Sequence, residues 1–107
     1  MALIDSARRA LEQKNFSELD DLWTEMVINE QTALNQLLEL AKELKKYDQS
    51  ERALGLLEML RSHLESKKSF SKAIEVCKNM IYHCKDDTEV RGALIELYKK
   101  AYPRSEA

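Results

Sequence analysis

Cys77, His83 and Cys84 are the side chains in this chain best suited to chemistry, with His63 farther off. Thiolates and imidazoles together would suit zinc. A structural zinc site, however, takes four converging ligands, normally from Cys-x-x-Cys or from histidines three to five apart. Cys77 and Cys84 share a helical stripe with Met80 and Ile81 instead, and cysteine is among the most buried residue types even when free. Both read as core thiols. On one helix their Cα atoms would stand roughly 10 Å apart along the axis, beyond the about 7 Å that a disulfide spans. Two reduced thiols fit a cytoplasmic protein. His63 and His83 fall off the apolar stripes and are expected on the surface.

Other chemical motifs are missing. Di-iron bundles need Glu-x-x-His on facing helices, but Leu60 and Met80 stand three residues before the two histidines. Gly55 and Gly92 are the only glycines. Both sit inside predicted helices and form no phosphate-binding loop. A helical glycine costs about 1 kcal/mol against alanine, so close helix packing is expected at both. The serines gather at helix starts, where capping explains them. No nucleophile–base pair emerges. The expectation is therefore no catalytic, cofactor-binding or metal-binding residue, no cofactor and no enzyme.

Doubled charges recur: Arg8-Arg9, Asp20-Asp21, Lys45-Lys46, Lys67-Lys68, Asp86-Asp87 and Lys99-Lys100. The lysine pairs fall in predicted last turns and the aspartate pairs in predicted first turns. Each placement complements the helix dipole by about 0.3–1 kcal/mol, which accounts for them without a binding patch. The net charge of −2 gives no general field for phosphates, so nucleic acid is not the expected partner. No stretch approaches the about 20 apolar residues of a membrane span, and Met1 to Asp5 begin no signal-peptide run.

The elements that position these residues are helices. Apolar residues recur in steps of three and four, which places them on one face. The spacing predicts helices near Leu3–Gln13, Ser17–Ile28, Thr32–Lys46, Ser50–Ser66, Ser71–Lys85 and Asp87–Ala101. Asp48-Gln49-Ser50-Glu51 and Asp86-Asp87-Thr88-Glu89 resemble capping boxes. Asn15 suits either a left-handed helix end or the cap of the next helix. Pro103 stops the last helix. The short connections imply antiparallel neighbours, hence an all-α fold of about six helices in three stacked hairpins. No linker divides the chain. Residues 1–103 form one expected domain, and 104–107 a tail or the start of a linker.

One local pattern repeats: Lys14-Asn15-Phe16 before Leu19, Lys45-Lys46-Tyr47 before Ala53, and Lys67-Lys68-Ser69-Phe70 before Ala73. A helical hairpin cannot bury its apolar stripe alone, so repeated hairpins stack into an array, and arrays usually bind proteins. Trp23, spaced from Leu19 and Met26, is expected in the core. Tyr98 and Tyr102, four apart, could rim a groove; with Tyr47 they are the candidate partner-binding residues.

Leu57, Leu60 and Leu64, followed after a turn by Phe70, Ala73, Cys77 and Met80, resemble tetratricopeptide-type repeats, implying a right-handed array. Arg61 replaces that family's small residue, and a lysine or aspartate its closing proline. A broader likeness runs through Leu19-Asp20-Asp21-Leu22-Trp23, Leu40-Ala41-Lys42-Glu43-Leu44, Ser50-Glu51-Arg52-Ala53-Leu54-Gly55-Leu56-Leu57 and Leu97-Tyr98-Lys99-Lys100-Ala101-Tyr102-Pro103. Together these resemble the helical N-terminal extension of long bacterial Gre-type transcription elongation factors. The resemblance implies an accessory, non-catalytic protein-binding domain with RNA polymerase or an associated factor as partner. The coiled coil and globular domain that follow the extension in that family are absent, so no cleavage activity carries over. A structural, self-associating helical domain, a homodimer with no transcription role, is the alternative.

Overall fold

The computed structural model describes residues 2–84 and 88–102. It is all-α, with α1 (Leu3–Glu12), α2 (Phe16–Asn29), α3 (Leu34–Lys46), α4 (Ser50–Ser66), α5 (Phe70–His83) and α6 (Thr88–Ala101). Pro103, the 104–107 tail, and the Lys85, Asp86 and Asp87 part of the expected helix ends and capping box lie outside the described residues.

Three of the connections share one geometry. Asn15 N–H donates to the Ala10 carbonyl (2.8 Å), Gln49 N–H to Leu44 (2.9 Å) and Ser69 N–H to Leu64 (2.8 Å). The residue before each donor, Lys14, Asp48 or Lys68, is left-handed, with φ of 59°, 61° and 59°. This closure satisfies the last carbonyls of the helix and turns the chain sharply. Asp48 therefore ends α3 and does not cap α4; Gln49 holds the cap position without a side-chain bond. Asn15, by contrast, is a true cap. Its Oδ1 accepts from Glu18 N–H at 3.3 Å, and its Nδ2 donates to Glu18 Oε1 at 2.9 Å. Thr32 lies outside α3, whose cap position is Ala33.

The hairpins α1–α2, α3–α4 and α5–α6 each pack internally, and α3 lies on α1, α4 on α2, and α5 on both α3 and α4. The Cα atoms of α2 and α3 nowhere approach within 8 Å, and among the described helices the Cα atoms of α6 come that close only to those of α5. The result is a slab of 51 × 30 × 16 Å. Its main core joins Leu11, Leu19, Trp23, Leu40, Leu44 and Leu57, all but sealed from solvent; a second cluster joins Ala73, Ile74, Cys77 and Leu97 under α6. Trp23 is buried as its spacing predicts, and its indole N–H donates to the Leu56 carbonyl at 2.9 Å.

Both glycines correct the packing expectation. Gly55 and Gly92 are exposed, and a Cβ added at either meets nothing within 4 Å. The aspartate pair at Asp20-Asp21 sits past the first turn of α2, where Glu18 is the acidic residue. Asp20 instead pairs with Arg52 of α4 and ties two hairpins together.

Candidate functional site

On the face where α3 and α5 run side by side, Asn35, Leu38, Glu39 and Lys42 of α3 face Glu75, Lys78, Asn79 and Tyr82 of α5 across a groove of about 470 Å³. Asn79 lies at its floor. It is 5 % exposed and the only buried polar residue among the described residues. Its Nδ2 donates to the Leu38 carbonyl at 3.2 Å. Only the NH₂ end of an amide can face a carbonyl, so the oxygen points away. That Oδ1 is buried and has no hydrogen-bond partner among the described residues. Burying an amide acceptor without a partner costs about 1–3 kcal/mol.

The groove wall is mixed in charge, with Lys42 and Lys78 beside Glu39 and Glu75, and carries the Tyr82 ring. Lys45 Nζ stands 4.4 Å from the centre of the Tyr82 ring, Lys42 Nζ 5.5 Å. Lys45 also donates to the Tyr82 carbonyl at 3.3 Å. Neither lysine has a carboxylate partner among the described residues. Farther along, Lys78 lies 3.7 Å from Glu75; the nearby Tyr98 of α6 first, then the Glu75 charge, raise its pKa. The groove thus presents an aromatic face and the Lys42 ammonium, with the Lys45 ammonium beside it, over the buried Asn79 amide. These are means of binding.

The candidate tyrosines separate. Tyr98 on α6 and Tyr102 just past its end stack at 6.2 Å, both exposed. Tyr47 is half-buried and meets Phe16 edge-on at 6.4 Å, so it joins the first hairpin to the second. Tyr82, Asn79, Lys42 and Lys45 escaped sequence reasoning. The available signal was Asn79 itself, an amide set among buried Val76, Cys77 and Met80.

The histidines are not the surface residues their spacing suggests. His63 Nε2 lies 2.6 Å from Glu30 Oε2, with Lys67 Nζ 3.4 Å from the same oxygen. This cluster holds Glu30 below its ordinary value, the His63 hydrogen bond contributing most. It spans the mouth of a second cleft, of about 290 Å³, floored by Met26, Val27, Leu37 and Leu60. His83 is half-buried, 3.5 Å from Ser50 Oγ. Cys77 is buried, and burial pushes its thiol up to about 11, which keeps it protonated and unreactive at neutral pH. Cys84 follows the last residue of α5, half-buried and off the core stripe. Among the described residues no cluster of His, Cys, Asp and Glu could hold a metal ion, and no helix is long and apolar enough to cross a membrane.

The fold and groove define an all-helical protein of paired, stacked helices. In comparisons with known proteins, the chain matches no family model, no curated protein and no solved structure.

Proposed function

We propose that this chain is a non-catalytic protein-interaction module that receives an acidic segment of a partner protein in the α3–α5 groove. The buried, partnerless Oδ1 of Asn79 carries the reading, because a peptide N–H is the abundant donor that fits it. Lys42 and Lys45 beside it favour carboxylates. The likeness to the Gre-type extension makes RNA polymerase, or a factor bound to it, the first partner to try, in a cytoplasmic setting.

The test compares the purified wild-type chain with Lys42→Glu/Lys45→Glu. Binding to RNA polymerase that the double variant loses, and that an acidic peptide competes away, supports the reading. Polymerase bound equally by both proteins moves the interface elsewhere. No binding at all removes the transcription role.

A further inference from the structure

Beside the α3–α5 groove, Lys45, Tyr82 and His83 form one cluster. The Tyr82 ring on α5 takes the Lys45 ammonium of α3 over its face at 4.4 Å and meets the His83 ring edge-on at 5.3 Å. Lys45 is held there a second time, by its hydrogen bond to the Tyr82 carbonyl at 3.3 Å. His83 is half-buried, with Nδ1 3.5 Å from Ser50 Oγ at the start of α4. Its Nε2 is sealed from solvent and has no hydrogen-bond partner among the described residues.

Among the described residues, the groups facing the His83 ring are Ala41 and Lys45 from α3, Ser50 from α4 and Tyr82 from α5, with no carboxylate. A proton on the ring is therefore a cation without a counter-ion. It is set near the Lys45 ammonium in a half-buried site, where like charges are poorly screened. The Ala41 carbonyl offsets part of that cost, so the charged ring is disfavoured but not forbidden. A carboxylate that reaches Lys45 from outside enters the field of both cations and makes the proton easier to hold. By reciprocity, the proton then raises the affinity for that carboxylate by the same factor.

We propose that His83 is a proton-linked regulator of the α3–α5 groove, tightening its hold on an acidic segment when the ring takes up a proton. This regulation rests on the groove being an acidic-segment site. The carboxylates of such a segment, with ordinary values of about 3.9 to 4.3, stay ionised where an imidazole charges, at about 6.5 and below. Binding therefore takes up a proton, and affinity rises as pH falls below about 6.5. Coupling between two sites typically starts at about fivefold. His83 acts across Lys45 and does not touch the segment, so that lower figure is the size expected.

Titration calorimetry of the full chain with an oligoaspartate peptide blocked at both ends tests it, at about pH 7.5 and about pH 5.5, on either side of the imidazole range. Circular dichroism confirms the fold at both. The wild-type protein should bind about fivefold more tightly at the lower pH. His83→Gln should match wild type at the higher pH and lose the increase. In the wild-type protein, the His83 ring proton followed by NMR should titrate about 0.7 pH higher with saturating peptide than without, the same fivefold factor read from the other site. Lys45→Met should raise that midpoint in the peptide-free protein, because the opposing ammonium is gone. Equal affinity at both pH values, or a rise that survives in His83→Gln, overturns the regulation and leaves the groove reading standing. A His83 midpoint indifferent to both peptide and Lys45→Met overturns it as well. No binding at either pH removes the acidic-segment reading and the regulation together.

Discussion

The indole N–H of Trp23 on α2 donates to the main-chain carbonyl of Leu56 on α4 at 2.9 Å, with the whole ring out of solvent. That carbonyl already closes a turn of α4, so the indole adds a second donor to it. The bond fixes how the second hairpin sits on the first. Trp23→Ala should cost about 3–5 kcal/mol through the cavity it leaves. Trp23→Phe keeps most of the volume, loses the bond, and should cost about 1–3 kcal/mol. Urea denaturation measures both. A loss below about 1 kcal/mol for the alanine variant would place the ring outside the working core.

Gly55 sits inside α4, exposed, with room for a Cβ. Nothing requires a glycine there. Gly55→Ala should raise stability by about 0.5–1 kcal/mol, because alanine narrows the unfolded ensemble and favours helix. The thermal midpoint reads this out directly. A decrease would show that the added methyl meets a neighbouring side chain in the folded protein.

Lys68 takes a conformation, φ 59°, that glycine adopts at little cost. A lysine there carries about 1–2 kcal/mol of strain. Lys68→Gly should therefore stabilise by about 0.5–1 kcal/mol after glycine's own entropic cost. Lys14→Gly should behave alike, since its backbone and hydrogen bonds match. Chemical denaturation of the two variants and their combination checks this, and distant sites should add.

These turns show where legibility in the sequence ended. Helix count, helix faces and the burial of Trp23, Leu57 and Ile74 followed from apolar spacing, which is a one-dimensional signal. The turns did not, because lysine and aspartate occupy positions where glycine would have announced a helix end. Asp48 looked like a cap for that reason. The groove was hidden for a different cause. Leu38, Lys42 and Asn79 meet only when α5 lies beside α3, and no local pattern specifies which helices become neighbours. Asp20 likewise looked like a dipole residue until α4 brought Arg52 to it.

Burial first, then the Lys45 ammonium, hold the His83 imidazole below its ordinary value, against the Ala41 carbonyl, which favours the charged ring. In the unfolded chain the ring titrates near about 6.5. Below that pH the unfolded state binds a proton that the folded state resists. His83 therefore contributes stability in full above about 6.5, and the contribution is lost as pH falls toward the lower folded value. The melting temperature should drop between about pH 7 and about pH 5.5, and His83→Gln should flatten that drop. Glu30 cannot mimic the effect, because its carboxylate is held below the usual range and titrates only in stronger acid. An unchanged slope in His83→Gln would assign the transition to another group.

Asn79 separates stability from binding. Asn79→Leu removes the bond to Leu38, but that carbonyl keeps its helical donor. The substitution also removes an acceptor buried without a partner, whose desolvation costs about 1–3 kcal/mol. Losing a bond of about 1 kcal/mol and relieving that cost should leave stability within about 1 kcal/mol of wild type, or slightly above it. Affinity for a partner segment in the groove should fall, because a leucine accepts no N–H. A structural asparagine would give the reverse, a large loss of stability with binding intact in the folded fraction. Denaturation and titration calorimetry on one preparation distinguish the two, and only the first pattern is compatible with Oδ1 being held ready for a donor from outside the chain.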